Sequence, residues 1–545
     1  MRKHLISLLL LAAFLMPSAA FGQQAVKITP EEKRTVEGVT AEQMKNYLYF
    51  VASDEMEGRD TPSRGLDTTA KFIGMNLAHW KFKPAGDDGT YYQKIALRSE
   101  TIDPSKTSFS IGDEQYAFGD DFLRLSGNAE AAGPIVFAGS GWMVKSKNID
   151  AFSGIDVRGK IVAVYSEGFP GRNLTRPPSG VVQDDLNGTK GVDWADPITH
   201  ARTAGATAVL LIASPQLQGA WGQVRQFTSR GTTFPEKLRD APTDPSMANF
   251  PVLVVSEKIG DELLAGHSGG KTSTTAFDTG KTAAIRTASH IETKWTQNVV
   301  ALWEGSDPVL KNEMVAIGAH YDHVGMNPNA PGPDKIWNGA DDDGSGTVAV
   351  LSIAEALAKA PKRPKRSILF VWHCGEEKGL WGSEYFNKFP TVDIKQVVSQ
   401  LNIDMIGRSK KAGDTDPKDK ELSGENEVYV IGSEMMSSTL GSIVKGTNSS
   451  YLNLTYDYKY DDPKDPNRFF FRSDHFNYAQ NGIPITFWFD GVHVDYHQPG
   501  DEVEKIDYNK MEKVARTIFL TLLELTDLKD RPRVDKQLPP ELTQR

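Results

Sequence analysis

Histidine and carboxylate side chains gather in five short stretches in the second half of the chain. These are "GAHYDHVG" (318–325), "GADDDGSG" (339–346), "HCGEEKG" (373–379), "IDMIGR" (403–408) and "GVHVDYHQPGD" (491–501). Six of the eleven histidines lie between His320 and His497, which is more clustering than solvation alone requires. Imidazole nitrogen and carboxylate oxygen are donors for Zn²⁺, and a set poor in thiolate suits a hydrolytic site. The five stretches therefore predict a metal centre.

Two adjacent glutamates, Glu376 and Glu377, follow an apolar run and raise an electrostatic problem. Their carboxylates repel each other and resist burial unless a cation compensates them. Neighbouring residues at a strand end point in different directions, so Glu377 could bind a metal while Glu376 faces a metal-bound water. A nearby carboxylate can take the proton of such a water, which predicts that Glu376 is a general base. The alternative is a solvated loop that carries two acids.

The remaining acidic and histidine positions suggest different roles. His320 and Asp322 stand two apart at a strand end, so they share a face, as a ligand and the carboxylate that orients it would. The same alternation points His323 to the other face, and we expect a structural role for it. Capping of a helix N-terminus explains one aspartate of "ADDDGSG" well and three poorly, and a carboxylate that bridges two metals would use another.

The elements that position these residues read as a layered α/β fold. Apolar runs predict strands at Asn298–Trp303, Met314–His320, Ser367–His373, Val397–Ile403, Val428–Ile431 and Pro484–Phe489. Helical spacing predicts helices at Leu66–Trp80, Gly346–Ala360, Ser437–Lys445 and Tyr508–Leu528. Runs without alternation indicate strands buried on both faces, so we predict a mixed, mostly parallel central sheet with helices on both faces. In such a sheet, sites form at the carboxyl ends of the strands.

The beginning of the chain and its bulk composition bear on location and partners. Arg2 and Lys3, the apolar run "LISLLLLAAFLM" and small residues at Ala20 and Gly22 are typical of a signal peptide over residues 1–22. We expect an exported protein, periplasmic or secreted, without stable membrane insertion; an uncleaved anchor is the alternative. A net charge of −10 argues against nucleic acid as a partner. The lone cysteine, Cys374, excludes an intramolecular disulfide and is expected to be a buried, inert thiol.

The five motifs, with "RSDH" (472–475), resemble in content and order those of the co-catalytic di-zinc aminopeptidases, a family that also contains glutamate carboxypeptidase II-like proteins. "DVRGKIVAVY", "HARTAGATAVLLI" and "FPVLVVS" resemble a protease-associated domain inserted into the peptidase. The resemblance implies an N-terminal part of the peptidase domain at 30–107, the β-rich insert at 108–288 and the catalytic peptidase domain at 289–530. Residues 531–545 would be a loose tail. His200 and His267, within the insert, are isolated and carry no predicted chemistry.

The resemblance also implies roles for individual residues. His320 and Asp404 would bind one Zn²⁺, Glu377 and His497 the other, and Asp342 would bridge the two ions. Glu376 would be the general base and acid, and Asp322 would orient His320. Tyr496 would hydrogen-bond the oxyanion, and Arg472 would lie near the substrate.

The implied activity is metal-assisted hydrolysis of peptides that have a free N-terminus, by a hydroxide held between two Zn²⁺ ions. Three alternatives stay open at the level of sequence. A carboxypeptidase that selects an acidic C-terminal residue would use Arg408, Arg468 or Arg472. A glutaminyl cyclase-like transferase would hold one zinc. A binding protein on a catalytically dead peptidase fold would have lost ligands, whereas every expected ligand is present here.

Overall fold

A computed structural model of the protein describes residues 26–166, 175–239, 249–267 and 275–543. The predicted signal peptide lies outside these residues. Among the described helices, none is both long and apolar enough to cross a membrane. The chain divides into two compact units: one combines the residues up to Lys94 with those from Thr296 onward, and the other spans Ile95–Trp295.

The strands, in chain order, are Lys83–Pro84 (β1), Tyr92–Ile102 (β2), Ser108–Ile111 (β3), Glu114–Tyr116 (β4), Phe122–Ser126 (β5), Glu130–Phe137 (β6), Met143–Val144 (β7), Ile149–Asp150 (β8), Ile161–Ser166 (β9), Trp194–Ala195 (β10), Ala208–Ala213 (β11), Thr232–Pro235 (β12), Val252–Val255 (β13), Phe277–Arg286 (β14), Ser289–Trp303 (β15), Met314–His320 (β16), Ser367–His373 (β17), Val397–Ile403 (β18), Glu427–Ile431 (β19), Thr455–Asp457 (β20) and Ile485–Phe489 (β21). The helices are Pro30–Val36 (α1), Ala41–Val51 (α2), Arg64–His79 (α3), Pro197–Thr203 (α4), Pro215–Gly219 (α5), Trp221–Ser229 (α6), Glu257–Leu264 (α7), Gly346–Lys359 (α8), Trp381–Lys388 (α9), Ser438–Ser450 (α10), His475–Gln480 (α11) and Tyr508–Asp527 (α12).

The sheet of the first unit runs in the order β15-β17-β16-β18-β21-β19-β20. The β17/β16, β16/β18, β18/β21 and β19/β20 pairs are parallel, and the β15/β17 and β21/β19 pairs are antiparallel. Every residue of β16, β17, β18 and β21 is buried, because helices cover the sheet and the strands are mostly apolar. The predicted mixed, mostly parallel α/β architecture is confirmed.

The second unit has a sheet of its own, in the order β4-β3-β14-β6-β9-β11-β13-β5. Its centre is parallel, from β6 through β9 and β11 to β13, and those strands carry the apolar runs seen in the sequence. The chain enters this unit within β2 and leaves it within β15, whereas the predicted domain boundaries lie at 107/108 and 288/289. The assignment of this unit as a protease-associated domain stays a prediction.

Candidate metal centre

Parallel strands bring the motifs to one rim of the first unit's sheet. His320 ends β16 and lies directly opposite His373, the last residue of β17. The two glutamates follow β17, and Asp404 follows β18. His497 lies in the segment after β21. Since the carboxyl ends of parallel strands meet at the same edge, residues that are far apart in sequence converge there.

The three consecutive aspartates have three different sets of partners. Asp341 accepts the backbone N–H of Gly407 at 2.7 Å through Oδ1, and its Oδ2 lies 3.2 Å from His493 Nε2. Asp343 accepts the backbone N–H groups of His320, Gly346 and Met405, so both of its oxygens are occupied. Only Asp342 has both carboxylate oxygens turned toward the histidines of the rim, and its position is fixed from behind by Asp501, which accepts the N–H groups of Asp341 and Asp342.

One group of donors forms around His497. Its Nε2 lies 3.0 Å from Asp342 Oδ2 and 3.1 Å from Glu377 Oε2. His323 Nδ1 lies 2.8 Å from Glu377 Oε1 and 3.8 Å from Asp342 Oδ2. One atom from each of these four residues falls within 4.8 Å of the others. The prediction that His323 points away from the site is therefore wrong.

A second group forms around His320. Its Nε2 lies 3.3 Å from Asp342 Oδ1 and 3.6 Å from Asp404 Oδ1. Asp343 is also near this group, but its oxygens already accept backbone hydrogen bonds, so we count Asp342 as the third member. Asp342 thus presents Oδ1 to one group and Oδ2 to the other, which is the arrangement that a bridging carboxylate needs.

The donor atoms of the His497 group are arranged to bind a cation rather than to form hydrogen bonds with one another. Asp342 Oδ2, Glu377 Oε1, His497 Nε2 and both ring nitrogens of His323 are buried and make no directed hydrogen bond to any described residue, despite separations near 3 Å. Buried polar atoms without partners are costly, and closely spaced donors that do not bond to each other point at a common centre. Imidazole and carboxylate donors in this number suit Zn²⁺.

The charges of the two groups depend on each other. Burial opposes ionisation of Asp342, but the neighbouring imidazoles of His320 and His497 hold its pKa well below the usual range. Burial and Asp342 oppose ionisation of Glu377, yet His323 and His497 lower its pKa to about 2. Burial favours a neutral His497, but Asp342 and Glu377 raise its pKa to about 10. A metal would have to displace the proton of His497, so its binding should release protons.

Glu376 stands at the edge of both groups without belonging to either. Its Oε2 lies 4.0 Å from His320 Nε2, and its backbone N–H donates to Asp322 Oδ1 at 3.1 Å. Burial raises the pKa of Glu376 well above its usual range, Glu377 and Asp404 add to this effect, and His320 opposes it. A raised proton affinity at a carboxyl group beside the donor groups suits a residue that takes up and releases a proton during a reaction.

A pocket opens beside Glu376. Its polar side carries His320, Asp342, Glu376, Asp404, Arg472 and Tyr496, and its apolar side carries Met405, Phe469, Phe487, Phe489 and Val492. An Arg472 guanidinium N–H donates to the Tyr496 hydroxyl oxygen at 3.1 Å. The hydroxyl is the acceptor in this bond, so its own O–H can donate to another group. Burial and Asp342 raise the pKa of Tyr496, so the phenol keeps its proton.

The comparisons with known proteins bear on the same region. Residues 298–522 match the sequence model of a protein family described as "Peptidase family M28". This segment, the M28 segment, is similar to that family over 225 of the chain's 545 residues. It contains β16, β17, β18 and β21, both donor groups and Glu376.

The chain is 30% identical over 249 residues to a probable leucine aminopeptidase of Arthroderma otae, covering 44% of this chain and 60% of the relative. It is 25% identical over 297 residues to leucine aminopeptidase 2 of Trichophyton rubrum, covering 49% of this chain and 53% of the relative. The chain therefore spans between about half and three fifths of these relatives' length. An aminopeptidase structure from Aneurinibacillus sp. strain AM-1 aligns with 18% identity and a TM-score of 0.48, over 93% of this chain and 98% of that one.

Within the M28 segment, most residues selected from the sequence converge. The donor groups contain His320, Asp342, Glu377, Asp404 and His497. Glu376, Tyr496 and Arg472 line the pocket. Asp322 lies beside His320, but His320 Nδ1 is hydrogen-bonded at 3.1 Å to the backbone carbonyl of Asp322, and the carboxylate is farther away, at 3.6 Å.

Other residues near these motifs or considered from the sequence are not members of the donor groups. Cys374 is buried, and burial raises the pKa of its thiol, as expected for an inert cysteine. His373 is hydrogen-bonded to the Tyr478 hydroxyl, and burial lowers its pKa to about 3. Arg408 is ion-paired with Asp495 at 3.0 Å, and the guanidinium of Arg468 lies 4.4 Å from the centre of the Phe471 ring.

Two residues of the buried network behind the site were not selected from the sequence. Asp501 holds the backbone of the aspartate turn, and His493 pairs with Asp341. Both stand in "GVHVDYHQPGD", so the motif contained the signal, but nothing in the spacing distinguishes a residue behind the turn from one in front of it.

Proposed function

We propose that this protein is a di-zinc metallopeptidase, most specifically an exported aminopeptidase that removes N-terminal residues from peptides. The observation that carries the proposal is the Asp342 carboxylate, which presents one oxygen to each of two donor groups beside a partly buried, pocket-lining Glu376. The M28 match and the similarity to fungal leucine aminopeptidases support the same activity.

His320, Asp404 and Asp342 would hold one Zn²⁺, and Asp342, Glu377 and His497 the other. Zinc supplies Lewis acidity to the scissile carbonyl and to the attacking water in sites of this kind. The Asp322 backbone carbonyl fixes the ring of His320, so its Nε2 faces the donor group. Asp501 and Asp343 hold the turn on either side of Asp342, so the bridging carboxylate does not need to reorganise.

Glu376 performs the proton transfers of hydrolysis. Its carboxylate takes a proton from the attacking water and delivers it to the leaving amine as the C–N bond breaks, so protons balance over one turnover. Tyr496, whose hydroxyl oxygen accepts from Arg472, donates its O–H to the carbonyl oxygen as negative charge develops there. The high pKa of the phenol keeps this donor protonated.

The apolar side of the pocket favours an aminopeptidase that accepts an apolar residue. Phe469, Phe487, Phe489 and Val492 offer dispersion contacts and no charge to the substrate side chain. A carboxypeptidase selective for acidic residues would need several cations here. Arg408 is committed to buried ion pairs, and Arg472 is the one candidate arginine of the three that lines the pocket.

The test is a comparison of blocked and unblocked substrates by the zinc-loaded protein. We expect cleavage of leucine p-nitroanilide and of Leu-Gly-Gly, and no cleavage of the N-acetylated forms of either. Cleavage of an N-acetylated peptide with a C-terminal glutamate would instead favour the carboxypeptidase. Conversion of an N-terminal glutamine to a cyclic product, without hydrolysis of the other substrates, would favour the cyclase.

A further inference from the structure

His323 is a fully buried histidine at the edge of the His497 group. It follows Asp322 in the chain, and its Nδ1 lies 2.8 Å from Glu377 Oε1 and 3.8 Å from Asp342 Oδ2. Its ring lies 5.5 Å from the ring of His497, centre to centre, at an interplanar angle of 76°. The two imidazoles therefore approach the same pair of carboxylates from different directions.

The close approach of His323 to Glu377 does not have the direction of a hydrogen bond. Neither ring nitrogen of His323 has a hydrogen-bond partner among the described residues, and Glu377 Oε1 has none either. An imidazole and a carboxylate that meet at 2.8 Å without bonding to each other are placed like two donors side by side around a third atom. A buried histidine left without any partner would be costly.

We propose that His323 supplies a fourth protein donor, through Nδ1, to the metal position formed by Asp342, Glu377 and His497. The inference rests on the proposed di-zinc function and deepens it. Four protein donors complete a zinc site, whereas three leave a position open for water or substrate. The position at His320, Asp404 and Asp342 has three, so the two metals differ: one is firmly held, and the other is exchangeable and open to substrate.

The test measures metal binding rather than turnover. We expect the metal-free protein, titrated with Zn²⁺ against a competing chelator, to show two sites of unequal affinity. In His323→Ala the zinc affinity of the tighter site should fall by more than about 100-fold. Loss of a residue that only hydrogen-bonds to a metal ligand lowers metal affinity by roughly 10–100-fold. X-ray absorption of the fully loaded protein should find three imidazoles shared by two zincs in the wild type and two in the variant.

His323→Asn and His373→Asn complete the experiment. His323→Asn keeps a polar atom near the Nδ1 position and serves if the alanine variant fails to fold. His373→Asn makes the same change at another buried histidine, one hydrogen-bonded to Tyr478, and should leave zinc affinity within a few-fold of wild type. If both variants lost zinc equally, the effect would reflect general destabilisation, and the proposal would be overturned.

The failures of this inference and of the proposed function are distinguishable. Two zincs with three imidazoles in a protein that cleaves no peptide would refute the proposed function and leave the role of His323 intact. Two imidazoles in the wild type would show that His323 lies beside Glu377 without binding metal. Zinc affinity weakened by 100-fold or less in His323→Ala, with an unchanged imidazole count, would show the same. Either of these results would refute the inference even in a fully active peptidase.

Discussion

Replacement of Glu376 by glutamine separates proton transfer from metal binding. Glutamine has nearly the shape of the protonated acid that burial favours at this position, so folding should be unaffected. The backbone N–H of residue 376 would still donate to Asp322. The side chain lies 4.0 Å from His320 Nε2 and belongs to neither donor group, so both zincs should stay bound.

The size of the effect follows from the role. Positioned general acid–base groups contribute about 10²–10⁴-fold, so kcat of Glu376→Gln should fall by that factor, or about 3–5 kcal/mol in activation free energy. KM should change little, because Glu376 forms only part of one side of the pocket. The assay is steady-state hydrolysis of leucine p-nitroanilide, with elemental analysis and thermal unfolding of the same preparation. Full activity in Glu376→Gln, or loss of metal in parallel with loss of activity, would refute this role.

Three further changes test other parts of the account. Asp342→Asn should release both metals, since one oxygen faces each group, and elemental analysis that still finds two zincs would contradict its bridging role. Val492→Asp should lower kcat/KM for a leucyl substrate roughly tenfold or more, because it places a charge on the apolar side of the pocket, and an unchanged preference for leucyl over lysyl substrates would contradict the pocket assignment. Burial lowers the pKa of His475 to about 3. Between pH 6.5 and about 3, the unfolded chain therefore binds a proton at this residue that the folded chain does not. The free energy of unfolding should fall as the pH decreases through this window. His475→Phe should therefore reduce the pH dependence of the unfolding free energy by about 1.4 kcal/mol per pH unit in that window, and urea titrations at several pH values with an unchanged slope would refute this.

Much of the central sheet could be predicted from the sequence because its strands are buried on both faces. The predicted strands at 314–320, 367–373 and 397–403 coincide with β16, β17 and β18. Continuous apolar runs bounded by polar motifs leave little freedom in where such strands begin and end. The convergence of the motifs follows in turn, since parallel strands deliver their carboxyl ends to one rim.

The position of His323 could not be predicted because the alternation rule was applied beyond its range. The strand ends at His320, and the period of two that relates residues 320 and 322 holds only within an extended strand. From Tyr321 onward the backbone is irregular, and His323 N–H donates to the carbonyl of Arg59, from a segment more than 250 residues away in sequence. Tertiary contacts, rather than local pattern, turn this imidazole into the site.

The partners of the three aspartates show the same limit. Their spacing indicates that one of them caps a helix; the N-cap residue is Ser345, and Asp343 accepts the N–H of Gly346, the first residue of α8. Either Asp341 or Asp342 could bridge two metals on spacing alone. Gly407 and His493 contact the two carboxylate oxygens of Asp341, and they come from the segments after β18 and β21. Only the assembled fold distinguishes Asp341 from Asp342.

The most direct test of the central claim is a metal titration of the stripped protein followed by activity. Hydrolysis of leucine p-nitroanilide should rise with added Zn²⁺ and reach its maximum at about two ions per chain, as co-catalytic hydrolysis requires. Full activity at one equivalent, or equal activity after exhaustive removal of metal, would contradict a centre built on a bridging Asp342.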